Sequence, residues 1–461
     1  MKVTKGVKVL SVMLIFVMVI SILAACGGNG NNISSEPENK NAGKNEIDEP
    51  AAAEEKVTID FWQNKFEDST DAWFKKWVDE FNKTHENITI KHTVVPGDAW
   101  EQKMKSAQAA GNAPQIYTKN YGGIAPAVSE NQLLALDEYM DPSIWADLYD
   151  NINEFVSVKG KHYGYPQLVE PSAVLYYRKD FFTEVGLDPE KPPTSWTELI
   201  EAGKKLTKDG RYGLHIANNA PEYSWTTWGL QMNGGHRAIS DDWSKATLDE
   251  GYKNLIAFYK TLYDEKIVPK QALTGYTDML DFGQGQVAMA VNGSWGMGQL
   301  RNDYPEILDN VGVAPMPGPD GDASKPTASL GGWSLVIDAK AKNPQQAADF
   351  VSWFFAGDPA IMIDFFKTTG FSKFAARKSV DEALNVDPDA MKDPVRKMIA
   401  EQVIPVSVSE PIYPWDVSIK IGEAIERAVA GQDPQAALDQ AIAEINDFIQ
   451  KNDLPSKNPL K

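Results

Sequence analysis

The chain has 461 residues, 64 of them acidic and 45 basic, for a formal charge of −19. Phosphate contacts need Lys and Arg, so this balance argues against a nucleic-acid partner; it also disfavours highly anionic ligands unless a local basic site overrides the net charge. At this length two domains are the natural expectation, and 13 tryptophans in a chain that is 43% hydrophobic support a well-buried core.

The first residues speak to compartment. Lys2, Lys5 and Lys8 precede an apolar run from Leu10 to Leu23, interrupted only by Ser11 and Ser21. A run of about 14 residues is too short to span a bilayer, which takes about 20. It reads as the apolar region of a signal peptide covering residues 1–25. Leu23-Ala24-Ala25-Cys26 follows and resembles the lipobox of bacterial lipoproteins, in which the cysteine becomes the new N-terminus and carries the lipid. Cys26 is the only cysteine, so no internal disulfide can form and a modified thiol is the reading. Cleavage there removes three lysines and no acids, taking the formal charge from −19 to −22. An acyl tether holds a protein on the membrane, not across it. Residues 26–56 are rich in Gly, Asn, Ser, Glu and Pro and lack aromatics. They read as a flexible linker that reaches at most roughly 100 Å.

Val57 to Trp62 alternates and predicts a first strand. Trp73, Phe74, Trp77, Val78 and Phe81 recur at helical spacing. Ile88 to Val95 predicts a second strand, Trp100 to Ala110 a helix closed by Gly111, and Gln115 to Thr118 a third strand. This alternation indicates a parallel sheet covered by helices. It resumes with a strand at Ala173 to Tyr177 and a helix opened by the capping box Ser195-x-x-Glu198. A helix over Tyr252 to Tyr263, strands at Val287 to Val291 and Leu335 to Ile337, and helices at Ala347 to Phe355, Ile419 to Ala430 and Ala436 to Phe448 complete the reading.

Several segments resemble one family when taken in order: WFKKWVDEF from Trp73, KMKSAQAAGNAP from Lys103, LYYRKDFF from Leu175, TSWTEL from Thr194, FGQGQVAMAVNGSW from Phe282, GGWSLVI from Gly331 and AADFVSWFF from Ala347. Their order and spacing over residues 57–450 resemble the extracellular sugar-binding proteins of ABC importers, the maltose-binding-like group. Gln115 departs from the family's usual Asp. The resemblance implies an α/β fold of two lobes joined by a hinge, of the type II periplasmic-binding-protein kind, each lobe a mainly parallel sheet covered by helices. Lobe one would take residues 57–172 and 328–376, lobe two 173–327 and 377–455. Ligand would sit in the cleft between them. Its implied partners are a sugar, the permease subunits of an importer and, through Cys26, the extracytoplasmic face of the cell membrane; the chain is expected to act as a monomer.

A sugar offers two C–H faces and a rim of hydroxyls, so its site needs flat aromatic surfaces with fixed donors and acceptors. Trp73, Trp77, Trp196 and Trp353 sit among apolar residues and are expected to pack. Trp225, Trp228, Trp295, Trp333 and Trp415 fall in polar or turn-like contexts, with Gly332 allowing close approach to Trp333 and Tyr413 beside Trp415. In the resembling family the matching segments supply ring-stacking aromatics. Polar candidates follow the strand ends of lobe one, where open α/β sheets bind ligands: Gln63, Asn64, Asp98 with Trp100, and Asn120. Glu170 lies just before the crossing strand, and Arg377 matches a family segment near the hinge.

Catalytic patterns are missing. There is no nucleophile elbow, Walker loop or dinucleotide fingerprint, and no carboxylate pair stands out as a glycosidase pair. The five histidines are scattered without metal-ligand spacing. Neither a cofactor nor a metal is expected. The sequence favours a binding protein over a lipid-anchored glycoside hydrolase or a ligand-sensing partner of a membrane receptor.

Overall fold

The computed structural model describes residues 56–208 and 210–459; the signal-peptide reading, Cys26 and nearly all of the linker fall outside the described residues. Among the described residues thirteen strands follow in chain order: β1 (Val57–Asn64), β2 (Ile88–Val95), β3 (Ile116–Asn120), β4 (Ser157–Val158), β5 (Lys161–His162), β6 (Tyr165–Pro171), β7 (Val174–Arg178), β8 (Tyr212–His215), β9 (Val287–Asn292), β10 (Val311–Pro315), β11 (Ser329–Ile337), β12 (Phe374–Ala375) and β13 (Val408–Ser409). One sheet runs β12-β6-β11-β3-β1-β2, with β13 beside β11; a second runs β10-β7-β9-β8; β4 and β5 form a small ribbon.

Both large sheets are mixed, where mainly parallel ones were expected. β1 pairs in parallel with β2 and β3, but β11 runs antiparallel to β3 and β6, and β7 antiparallel to β9 and β10. The cause is the crossing between sheets. β6 carries the chain out of the first sheet, and only Ser172 and Ala173 separate it from β7 of the second. The chain comes back through β10 and β11. A strand going out and a strand coming back must run in opposite directions, so the crossing makes both sheets mixed.

Apolar faces explain the layers. The helix Asp68–Thr84 buries Trp73, Phe74, Val78 and Phe81. Trp73 stacks on Phe354 at 4.9 Å, and Phe74 meets Phe61 of β1 at 5.9 Å. Each such burial contributes about 1.5–3 kcal/mol. In the second half the helix Trp196–Leu206 starts with the reciprocal Ser195–Glu198 capping box, and Trp196 stacks on Phe258 at 4.3 Å. Trp77 and Trp353 are half-buried and meet edge to face at 6.2 Å.

The helix Lys378–Leu384 packs against the helix Pro359–Thr368 and β12, on the first sheet's side and beyond the expected boundary at 376. The helices Trp415–Val429 and Pro434–Asn452 pack on each other and on Glu250–Asp264 in the second half. Among the described residues no helix is long and apolar enough to cross a membrane.

Candidate functional site

The C-terminal ends of β1 and β3 open side by side, with β11 as the next neighbour. Asn64 ends β1; its backbone N–H donates to Thr118 Oγ1 at 2.9 Å, while its side-chain Oδ1 is buried and has no partner. Asn120 ends β3 and pairs with Trp333 of β11, which in turn pairs with Leu168 of β6. Trp333 is half-buried, with Phe66 edge-on at 4.9 Å. Gly332 has to be glycine: a Cβ there would lie 2.1 Å from the Leu168 carbonyl oxygen and 2.5 Å from the Tyr121 ring.

Glu410, which sequence reasoning did not single out, reaches these strand ends from the loop after β13. Its Oε2 accepts from Asn120 Nδ2 and from the Gly122 N–H, each at 2.7 Å, and the Gly332 N–H also bonds to the carboxylate. Burial pushes its pKa up to about 7; the bonds from Gly122 and Asn120 oppose that rise and nearby Glu170 adds to it. The available signal was a carboxylate in Glu410-Pro411-Ile412-Tyr413-Pro414-Trp415, where two prolines fix an irregular path just before a helix.

Glu170 belongs to a buried ionic group. Lys373 Nζ lies 2.9 Å from Glu67 Oε1 and 3.1 Å from Glu170 Oε2. Burial disfavours every charge here. The two carboxylates still raise the Lys373 pKa, and Lys373 with the Thr70 hydroxyl holds Glu67 below the carboxylate range. For Glu170 burial wins, helped by repulsion from Glu67, and its pKa is raised.

The aromatic candidates other than Trp100 and Trp333 gather in the second half. Trp225 meets Tyr276 edge to face at 5.2 Å and Trp295 at 6.2 Å. Trp295 is buried, yet its Nε1–H has no partner, and neither has the neighbouring Ser294 Oγ. Trp228 and Trp415 meet edge to face at 6.3 Å. Trp228 Nε1 donates to Ser418 Oγ at 3.1 Å, and buried Tyr413 also bonds to Ser418. These aromatics adjoin the crossing strands: Ser294 N–H donates to the Pro171 carbonyl at 3.2 Å and Tyr276 Oη to the Ser172 carbonyl at 2.8 Å. Pro171 immediately follows Glu170.

Other candidates are not brought to this cluster with free groups. Gln63 is fully buried and engaged at both ends, donating to Asp71 Oδ1 at 2.5 Å and accepting from His92 Nε2 at 2.8 Å. Burial lowers the His92 pKa to about 4, so the ring is neutral near pH 7 and Nε2 carries the proton toward Gln63. Trp100 packs in the first half's core. Asp98 lies in the helix Gly97–Ala110, and its side chain is outside the described residues. Arg377 is a brace: Nε donates to Asp147 Oδ2 at 2.7 Å, Nη1 to the Phe355 carbonyl at 2.9 Å and Nη2 to the Gly357 carbonyl at 3.0 Å. Its guanidinium is spent on the first half's own Asp147 carboxylate and two backbone carbonyls.

Two mixed sheets, three crossings between them and aromatics beside the crossing strands define a two-lobed solute-binding fold. The family model for bacterial extracellular solute-binding proteins matches residues 67–357, and the chain belongs to that family. It is 24% identical over 447 residues to the sn-glycerol-3-phosphate-binding periplasmic protein UgpB of Pectobacterium atrosepticum, covering 88% of this chain and 94% of that one. It is 25% identical over 291 residues to a mannitol-binding protein of Pseudomonas aeruginosa, covering 59% and 63%. A Thermotoga lettingae solute-binding protein bound to α-D-tagatose superposes with a TM-score of 0.74 at 23% identity, covering 85% of this chain and 99% of that one. The maltose/maltodextrin-binding domain MalE of Bdellovibrio bacteriovorus, bound to maltotriose, gives 0.72 at 22% identity, covering 86% and 100%.

Proposed function

We propose that this solute-binding protein captures a sugar, an oligosaccharide in particular, between its lobes and delivers it to the permease subunits of an ABC importer. Lipid on Cys26 would hold it, as a monomer, on the extracytoplasmic face of the cell membrane. One observation carries the reading: unpartnered Asn64 Oδ1 at the strand ends of one lobe, and unpartnered Trp295 Nε1 among the aromatics of the other. Buried polar groups are ordinarily paired. Trp73 Nε1 and Trp196 Nε1 also lack partners but belong to rings stacked in the core on Phe354 and Phe258, whereas Asn64 stands at the strand ends and Trp295 beside the crossing strands. Sugar hydroxyls would satisfy both, while Trp225, Trp333 and Trp415 offer surfaces for the C–H faces. Asn120, Glu170, Gly332 and Trp228 complete the proposed site. The family and the sugar-bound neighbours support the ligand class.

A thermal-shift screen against mono- and oligosaccharides tests this. A true ligand at about 100 times its dissociation constant adds about 2.7 kcal/mol to stability. It should be recovered intact, without new reducing ends. A panel in which no sugar shifts the transition contradicts the reading.

A further inference from the structure

Acids outnumber cations at the strand ends of the first lobe. Lys373 is shared by Glu67 and Glu170, at 2.9 and 3.1 Å, so two carboxylates answer one ammonium. Glu410 is a third, and its bonds come from uncharged donors, Asn120 Nδ2 and the Gly122 and Gly332 N–H groups. Two other nearby cations are engaged elsewhere. Lys65 is paired with Asp68 and Asp71, each at 2.6 Å. Arg237 donates to the Ser409 carbonyl at 2.7 Å and to its Oγ at 3.1 Å. Lys119 lies beside Gly123; burial lowers its pKa, against the pull of Glu101 and Glu130.

We propose that Glu410 is a specificity-determining residue, and that with Glu67 and Glu170 it makes the site select uncharged polyhydroxylated ligands and reject phosphate esters. This rests on reading the strand ends as the solute site. An arriving phosphate would need N–H donors, and those of Asn120 and Gly122 already serve an anion. It would also set about −1.5 to −2 of charge beside three carboxylates, of which two share one ammonium and the third, Glu410, has only uncharged donors. A sugar hydroxyl is different, because it donates. An ionised carboxylate accepts through two oxygens with about four lone-pair sites, and the three N–H donors, Asn120, Gly122 and Gly332, leave about one for a ligand, with Oε1 set against Gly331. Glycine at 331 is what lets that oxygen approach, since a Cβ there would lie 2.2 Å from it.

The test is calorimetry on the exported chain at pH 8 with neutral oligosaccharides, their monophosphorylated forms, glycerol and sn-glycerol 3-phosphate. The expected result is binding of at least one neutral sugar, with its phosphorylated form weaker by about a hundredfold, the scale of like-charge opposition at a contact. No saturable binding of sn-glycerol 3-phosphate is expected. Glu410→Gln keeps an acceptor toward Asn120 and Gly122, and should narrow the gap to about tenfold or less, with circular dichroism reporting an intact fold. A phosphate ester that binds as well as its neutral parent, or a ratio unchanged in Glu410→Gln, overturns the inference while leaving the solute-binding reading standing. If neither neutral nor phosphorylated ligands bind, the reading of the strand ends as a sugar site falls, and the inference with it.

Discussion

Asn120 Nδ2 lies 2.7 Å from Glu410 Oε2, across 290 residues of chain. Asn120 ends a strand of the first sheet. Glu410 starts the loop that runs through Tyr413 into the helix Trp415–Val429, which packs on the second half. This hydrogen bond therefore ties a strand end of one lobe to the segment that carries Trp415 in the other.

The tie should show in the pH dependence of stability. The Glu410 pKa rises from its ordinary 4.5 to about 7 on folding. Below 4.5 both states are protonated. Between 4.5 and about 7 the folded chain keeps a proton that the unfolded chain has lost, so this group's contribution to stability falls as pH rises, then levels off. Urea unfolding across pH 4.5–8.5 should show Glu410→Gln gaining on wild type as pH increases. A constant difference between the two would contradict the assignment.

Lys373→Met should be strongly destabilising, by about 3–5 kcal/mol near pH 7.5, because it strands two buried carboxylates without their counter-charge. With Lys373 gone, both carboxyls should hold protons more tightly in the folded state. Part of the loss should then return as pH falls toward 5. Equal destabilisation at both pH values would mean that the ionic group is not what Lys373 stabilises.

Much of the fold was legible in the sequence where local pattern and burial agree. Ile88–Val95 matches its predicted bounds, and the Ser195–Glu198 capping box is present. β6 escaped because all seven residues of Tyr165–Pro171 are buried, including Glu170 and two prolines, so no alternation marks it. β11 was seen only from Leu335, although it begins at Ser329, because glycines conceal its start. The aromatic candidates could be picked out by context. Glu410 could not: its role comes from Asn120, Gly122 and Gly332, all remote in sequence. Arg377 misled for the converse reason, since motif position does not reveal that Asp147 and two carbonyls consume its donors.

Tryptophans of the two kinds should respond differently to truncation. Trp73→Ala removes a buried ring stacked at 4.9 Å on Phe354 and should cost about 3–5 kcal/mol of stability. Binding by the folded fraction should persist. Trp333→Ala should weaken sugar binding by about 2–4 kcal/mol, the scale of a binding hot spot, with a smaller effect on the melting temperature. Wild-type affinity in Trp333→Ala would assign that ring to packing alone.

Cys26→Ala should move the protein from the membrane fraction to the soluble fraction without changing its melting temperature. Membrane retention in that variant would contradict lipid anchoring.

The central claim is that one ligand engages both lobes and closes them. Closure requires the ligand to bind the closed form better than the open one. The most direct measurement titrates a sugar from the thermal-shift screen while following tryptophan fluorescence and, in parallel, the radius of gyration by small-angle X-ray scattering. A saturable change in fluorescence is expected as Trp225, Trp333 and Trp415 are covered, with a fall in the radius of gyration at the same midpoint. Saturable fluorescence at a constant radius of gyration would contradict it, because the sugar would then be held by one lobe alone.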